Sequence, residues 1–168
     1  MNNELMFLLG IMVAICIVIA IKKMTVSDCE YDERQILIRG KAYKIGFMTM
    51  LLFAAGFICA SVAYEELIEY GFVWNSISMF AGLTAFAVYS VWNDAYLALK
   101  QSVTKNLALC GVVILCNVSW IPELIKGKID AAELIQSYRA INVFCALTFA
   151  VIAFTLIIKM FVDRKEED

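Results

Sequence analysis

Two groups of side chains in this sequence have the types and spacing to do chemistry. The first centres on Asp94, in VWNDAYLALK, where apolar residues continue from Ala95 through Leu99 before Lys100. A carboxylate at membrane depth can carry a proton or an ion. At the bilayer centre it costs about 2.5 to 3.5 kcal/mol and must find a cation or water. Lys100, Lys105 and Lys159 are the expected cations by depth, and a plain ion pair at the boundary is the simpler reading of Asp94. The second group lies in SDCEYDERQILIRGKAYKIGF, residues 27–47, where a charged stretch separates two apolar runs. Tyr31, Glu33, Arg34, Gln35, Ile38, Arg39 and Lys41 form its candidate face for a partner. A charged anchor that only fixes orientation is the alternative. Asn117 and Asn142 complete the intramembrane polar candidates. With Ser119, Thr148 and Thr155 they suit hydrogen bonds between helices better than a conduction path.

Other chemistry finds little support. Histidine is absent, and there is no Cys-x-x-Cys, no Gly-x-Ser-x-Gly and no glycine-rich phosphate loop, so neither a catalytic site nor a cofactor or metal site is expected. Five of the six cysteines lie in apolar runs, where the residue acts as a small apolar side chain. Cys29 alone sits among polar residues, placed to react or be acylated. A net charge of −2 and the lack of any recognition motif argue against direct nucleic-acid binding.

The elements that must position these residues are apolar helices. The chain has 168 residues, 62% of them hydrophobic and 18% charged, and a mean hydropathy of +0.79. That is more apolar surface than a small soluble core hides, so lipid is the expected solvent. A helix needs about 20 apolar residues to cross a layer about 30 Å thick. Spans are expected at 5–21, 45–64, 77–96, 107–121 and 140–162. The first lacks the basic start and the cleavage site of a signal peptide. The expected fold is therefore an all-α membrane protein: one domain, a bundle of about five transmembrane helices, with a cytoplasmic amphipathic helix at about 28–44 leading into the second span.

Local signals refine this. Ser27-x-x-Glu30 is a capping-box pattern, and acidic residues precede basic ones, as the helix dipole favours. Tyr31, Ile38, Ala42 and Ile45 fall on one face. With no proline in between, one helix can run from Asp28 to Tyr64, with bends at Gly40 and Gly46. Asp130-x-x-Glu133, flanked by Ile129 and Leu134, predicts a surface helix from Ala131. Gly56 with Ala60, Ala81 with Ala85, and Ala146 with Ala150 have the spacing for close helix approach. An offset of 61 residues places Glu33 on Asp94 and the second span on the fourth, a candidate internal repeat.

Orientation follows from the basic residues. With the amino terminus outside, eleven of the fourteen Lys and Arg lie inside, leaving Lys126, Lys128 and Arg139 outside. Tyr64, Tyr70, Trp74, Trp120 and Tyr138 then mark the outer edge, and Tyr43, Tyr89, Trp92 and Tyr96 the inner. The expectation is a multi-pass cell-membrane protein with a cytoplasmic carboxyl terminus.

Asp32-Glu33-Arg34-Gln35 followed by Lys41-Ala42 ahead of a span, with Asn93-Asp94-Ala95-Tyr96 at an inner helix end, resembles a group of small uncharacterised membrane proteins of Gram-positive bacteria. The resemblance covers residues 31–105. It implies a gene beside a small helix-turn-helix regulator and brings no activity with it. The expected role is binding: a regulatory, sensing or immunity partner that engages a cytosolic or membrane protein, or a second copy of itself. A small transporter or channel subunit using Asp94 is the alternative.

Overall fold

The computed structural model describes residues 31–99, 101–118, 121–127, 130 and 139–167. Every regular element among them is helical. In chain order they are α1 (Glu33–Ala63), a 3-10 helix (Glu65–Tyr70), α2 (Gly71–Trp92), α3 (Val103–Asn117), the short α4 (Ile121–Ile125) and α5 (Ala140–Glu167). The expected first span, Ser27, Cys29, Glu30 and the surface helix from Ala131 lie outside the described residues.

Three helical segments are long and apolar enough to cross a membrane: Glu33–Ala63, Glu65–Trp92 and Ala140–Lys165. The helix at the expected fourth span, α3, has 15 residues, about 22 Å at 1.5 Å per residue, and is the shorter apolar one.

The start of α1 differs from expectation. Asp32 is extended (φ −71°, ψ 165°), so no helix runs unbroken from Asp28. Instead the Asp32 carboxylate accepts the Gln35 backbone N–H at 2.6 Å, and the Gln35 side-chain oxygen accepts the Asp32 N–H at 3.4 Å. This capping box satisfies two first-turn donors and starts the helix at Glu33. From there α1 is continuous through Gly40 and Gly46, about 46 Å along its axis.

The glycine at 46 serves contact instead of bending. A Cβ on Gly46 would stand 2.7 Å from the Gly82 carbonyl oxygen, and one on Gly82 would stand 2.8 Å from the Gly46 oxygen. The α1 and α2 backbones therefore cross with no side chain between them, the arrangement small residues permit where lipid offers no hydrophobic drive for association. Ser78 Oγ donates to the Met50 carbonyl at 2.7 Å across the same seam. Of the small pairs expected from sequence, Gly56 faces open space and Ala150 is exposed, while Ala146 is buried.

Packing runs α1 on α2, α2 on α5, and α5 on α3. Ala87 and Val91 of α2, Cys110 of α3, and Ile152 and Leu156 of α5 form the apolar cluster. Thr84 and Thr148 approach at 3.3 Å between α2 and α5, an expected interhelical bond. Thr155 and Asn117 instead donate to carbonyls within their own helices, Val151 and Val113. Under the 61-residue offset Glu33 opens α1 whereas Asp94 follows the end of α2 and precedes the start of α3 at Val103, so these two charges do not occupy equivalent places.

Candidate functional site

At one end of the bundle, the first turns of α1, the 93–101 loop and the last turns of α5 converge. The loop begins where α2 stops. The Asp94 N–H donates to the Val91 carbonyl at 3.2 Å and the Ala95 N–H to the Ser90 carbonyl at 2.9 Å. Asp94 itself is left-handed, φ 57°. These are the paired bonds of a Schellman stop with Asp94 in the place glycine usually takes, and aspartate tolerates that conformation better than most residues. The expected third span, 77–96, thus shifts to begin earlier and end at Trp92.

Once the chain turns, its carbonyls face α1. Gln35 Nε2 donates to the Asp94 carbonyl at 2.7 Å and to the Leu97 carbonyl at 3.2 Å. One turn along α1, Arg39 Nη1 donates to the Ala95 carbonyl at 3.1 Å, the Tyr96 carbonyl at 3.4 Å and the Tyr31 hydroxyl at 3.1 Å. The guanidinium carbon lies 4.4 Å from the centre of the Tyr31 ring, a cation–π contact. Ala42 is completely buried one turn further, and Gly46 follows. The inward stripe of α1 is therefore Gln35, Arg39, Ala42 and Gly46. Of the expected apolar stripe, only Ala42 belongs to it, while Ile38 is half-buried and Ile45 exposed. Polar residues hold the inward face because what they meet is a row of backbone carbonyls.

The Asp94 side chain points elsewhere. Its carboxylate stands 3.2 Å from Lys159 Nζ on α5, and Lys159 also pairs with Asp163 at 2.7 Å. Lys159 was among the cations expected for Asp94. The Asp94 side chain is 57% exposed, so the pair lies at the rim of a cleft of about 240 Å³ floored by Val91, Leu97 and Leu156. Burial raises the Tyr96 phenol above its ordinary pKa, with Cys110 and Tyr31 adding to the rise and Arg39 opposing it. That phenol stays neutral at physiological pH.

The candidate partner-facing residues thus divide. Gln35 and Arg39 are engaged internally, with Tyr31 against Arg39. Glu33, Arg34 and Lys41 are exposed and make no ion pair among the described residues. Beside them stand two residues that charge patterning overlooked, Ile36 and Leu37, 59% and 70% exposed. Their signal in the sequence is an apolar pair out of phase with the small inward residues. Of the intramembrane polar candidates, Asn142 is half-buried in the first turn of α5, and Asn117 lies at the far end of α3. Neither meets Asp94.

The basic residues divide unequally between the two ends. Arg34, Arg39, Lys41, Lys44, Lys105, Lys159, Arg164 and Lys165 gather at the clasped end among Asp32, Glu33, Asp94 and Asp163, with Lys126 and Arg139 at the other among Glu65, Glu66 and Glu69. Comparison with protein-family models, with curated proteins and with solved structures finds no match for this chain.

Proposed function

We propose that this protein is a small multi-pass membrane protein that acts by binding, as a regulatory, sensing or immunity partner, through the outward face of the first turns of α1. The observation that carries the reading is the pair Ile36 and Leu37, exposed between Glu33, Arg34 and Lys41 on a capped helix whose opposite face is tied down. Leu37 stands about 10 Å beyond Lys44 along the helix axis, at 1.5 Å per residue. With Lys44 at the lipid boundary, that carries Leu37 past a headgroup layer about 5 to 7 Å thick, into water. A large apolar residue there, rimmed by charges of both signs, has the composition of an interface centre with a polar rim. The excess of basic residues at this end supports a cytoplasmic placement, with the amino terminus outside and five spans in all.

Photo-crosslinkers placed at Arg34, Leu37 and Lys41 in cells are expected to capture one common protein, with capture at Arg34 and Lys41 lost in a Leu37→Glu background. Adducts with lipid alone would return the segment to a topological anchor. Adducts with a second copy would identify the partner as the protein itself. Ion flux into proteoliposomes that vanishes with Asp94→Asn would replace this reading with the transporter one.

A further inference from the structure

Arg39 has a second edge. A guanidinium carries five N–H donors, and its Nε and Nη2 hydrogens form the fork that grips carboxylate or phosphate side-on. The loop carbonyls and the Tyr31 hydroxyl occupy Nη1. On the fork, Nη2 has the Tyr43 hydroxyl at 3.5 Å, and among the described residues Nε has no acceptor. No carboxylate pairs with Arg39 among the described residues, and the side chain is half-buried. Among the described residues, a cation so placed is held by dipoles and aromatic faces and meets no counter-charge, which a partly desolvated charge calls for.

Beside the guanidinium, the α1–α2 seam carries a groove. Where Gly46 and Gly82 bring α1 and α2 together, their larger neighbours diverge and leave a trough of about 420 Å³ between Tyr43, Phe47 and Met50 on one side and Met79, Leu83 and Phe86 on the other. Tyr43 and Phe86 stack at 4.5 Å at its mouth. The Arg39 guanidinium sits above both rings, 6.0 Å from the centre of Tyr43 and 5.8 Å from that of Phe86. The trough is lined by apolar and aromatic side chains, and two of them, Tyr43 and Phe86, have their ring centres within 6.0 Å of the Arg39 guanidinium.

From this geometry we infer that the α1–α2 groove is a binding site for an anionic phospholipid, its phosphate on the Nε–Nη2 fork of Arg39 and an acyl chain along Met50, Met79 and Leu83. The charge decides the occupant. A zwitterionic lipid brings its own cation to the phosphate, and a peptide would have to bury backbone polar groups in an apolar trough. Bound there, the lipid neutralises the residue that ties α1 to the 93–101 loop, so lipid composition would set how firmly the clasp is held. The leaflet involved rests on the orientation proposed above; binding itself does not.

The full chain in mild detergent, titrated with phosphatidylglycerol or phosphatidylcholine of identical acyl chains and read by native mass spectrometry, tests this. Wild-type protein is expected to retain phosphatidylglycerol about ten-fold better than phosphatidylcholine. Arg39→Gln, which keeps a donor for the loop carbonyls, is expected to bring that ratio close to one. Leu83→Trp fills the trough without touching Arg39 and is expected to lower retention of both lipids. Lys41→Gln is expected to leave the ratio unchanged. Equal retention of the two lipids by wild type overturns the proposal, as does wild-type behaviour of Leu83→Trp. A ratio lost equally with Lys41→Gln, or abolished by millimolar inorganic phosphate, overturns it in favour of general attraction by a basic surface.

Discussion

The two sides of α2 are built on different physics. Toward α1 the closest contact is backbone on backbone, Gly46 against Gly82, with Ser78 bonded to the Met50 carbonyl and the Tyr43–Phe86 and Phe57–Trp74 ring pairs to either side. Toward α5 and α3 it is side chain on side chain, with Ala87, Val91, Cys110, Ile152 and Leu156 interlocked. A side-chain core can repack when one member changes size, since neighbouring rotamers absorb part of the difference. A glycine crossing has nothing to move except the helices. The contrast separates what holds the α2–α5–α3 core from what holds α1 and, through Gln35 and Arg39, the loop beyond α2.

The largest break in that contrast should come from Gly46→Leu. The new side chain meets the Gly82 carbonyl and the Phe86 Cβ, so α1 must leave α2. A cost of about 3 kcal/mol or more is expected, at or above the upper end for overpacking. A disulfide engineered across the α1–α2 seam should then form slowly, while one between α2 and α5 forms as in wild type. Leu156→Ala in the side-chain core should show the reverse selectivity, at about 2 to 3 kcal/mol. If both substitutions loosened both seams equally, the two sides of α2 would be one cooperative unit and the distinction would be lost.

A smaller effect is expected at the clasp. Gln35→Leu keeps the size of the side chain but leaves the Asp94 and Leu97 carbonyls without their donor, a loss of about 1 to 2 kcal/mol for partly buried acceptors. Hydrogen exchange should speed up in residues 93–101 and in the first turn of α1, which loses the side-chain half of its capping box while the Asp32 carboxylate still accepts the backbone N–H of residue 35. Exchange in the α2–α5 core should stay unchanged, and a uniform increase would contradict a local clasp.

The smallest effect is expected at Asp94 when glycine replaces it. Glycine takes its left-handed backbone without strain, so Asp94→Gly should be neutral or stabilising by up to about 0.5 kcal/mol, the ion pair with Lys159 adding little because Asp94 is exposed and Lys159 keeps Asp163. Asp94→Val should instead cost about 1 to 2 kcal/mol, because a β-branched residue resists that conformation. Thermal unfolding in detergent measures both. A large loss with glycine would mean that the carboxylate, and not the turn, is what position 94 requires.

Much of this fold is legible in the sequence because its determinants are local. Apolar run length alone marks the three long helices, which are the ones long and apolar enough to cross a membrane. The grouping of basic residues likewise fixes which helix termini share an end, because alternating antiparallel passes return every second terminus to one side. Depth along such helices narrows the partner of Asp94 to Lys100, Lys105 and Lys159, of which the structure pairs it with Lys159. The Asp32 capping box was open to local reading too, though the Ser27 pattern five residues earlier competes with it on equal terms.

The rest was decided only when the helices came together. That Gln35 and Arg39 turn inward depends on carbonyls nearly 60 residues further along the chain. Those carbonyls are exposed because Asp94 stops α2 where the apolar run continues. The glycines at 46 and 82 look like any others until a second backbone arrives so close that a Cβ on Gly46 would stand 2.7 Å from the Gly82 oxygen. Periodicity along one helix identifies its faces, but which face meets a neighbour depends on the position of the other helices, and no window of sequence contains that.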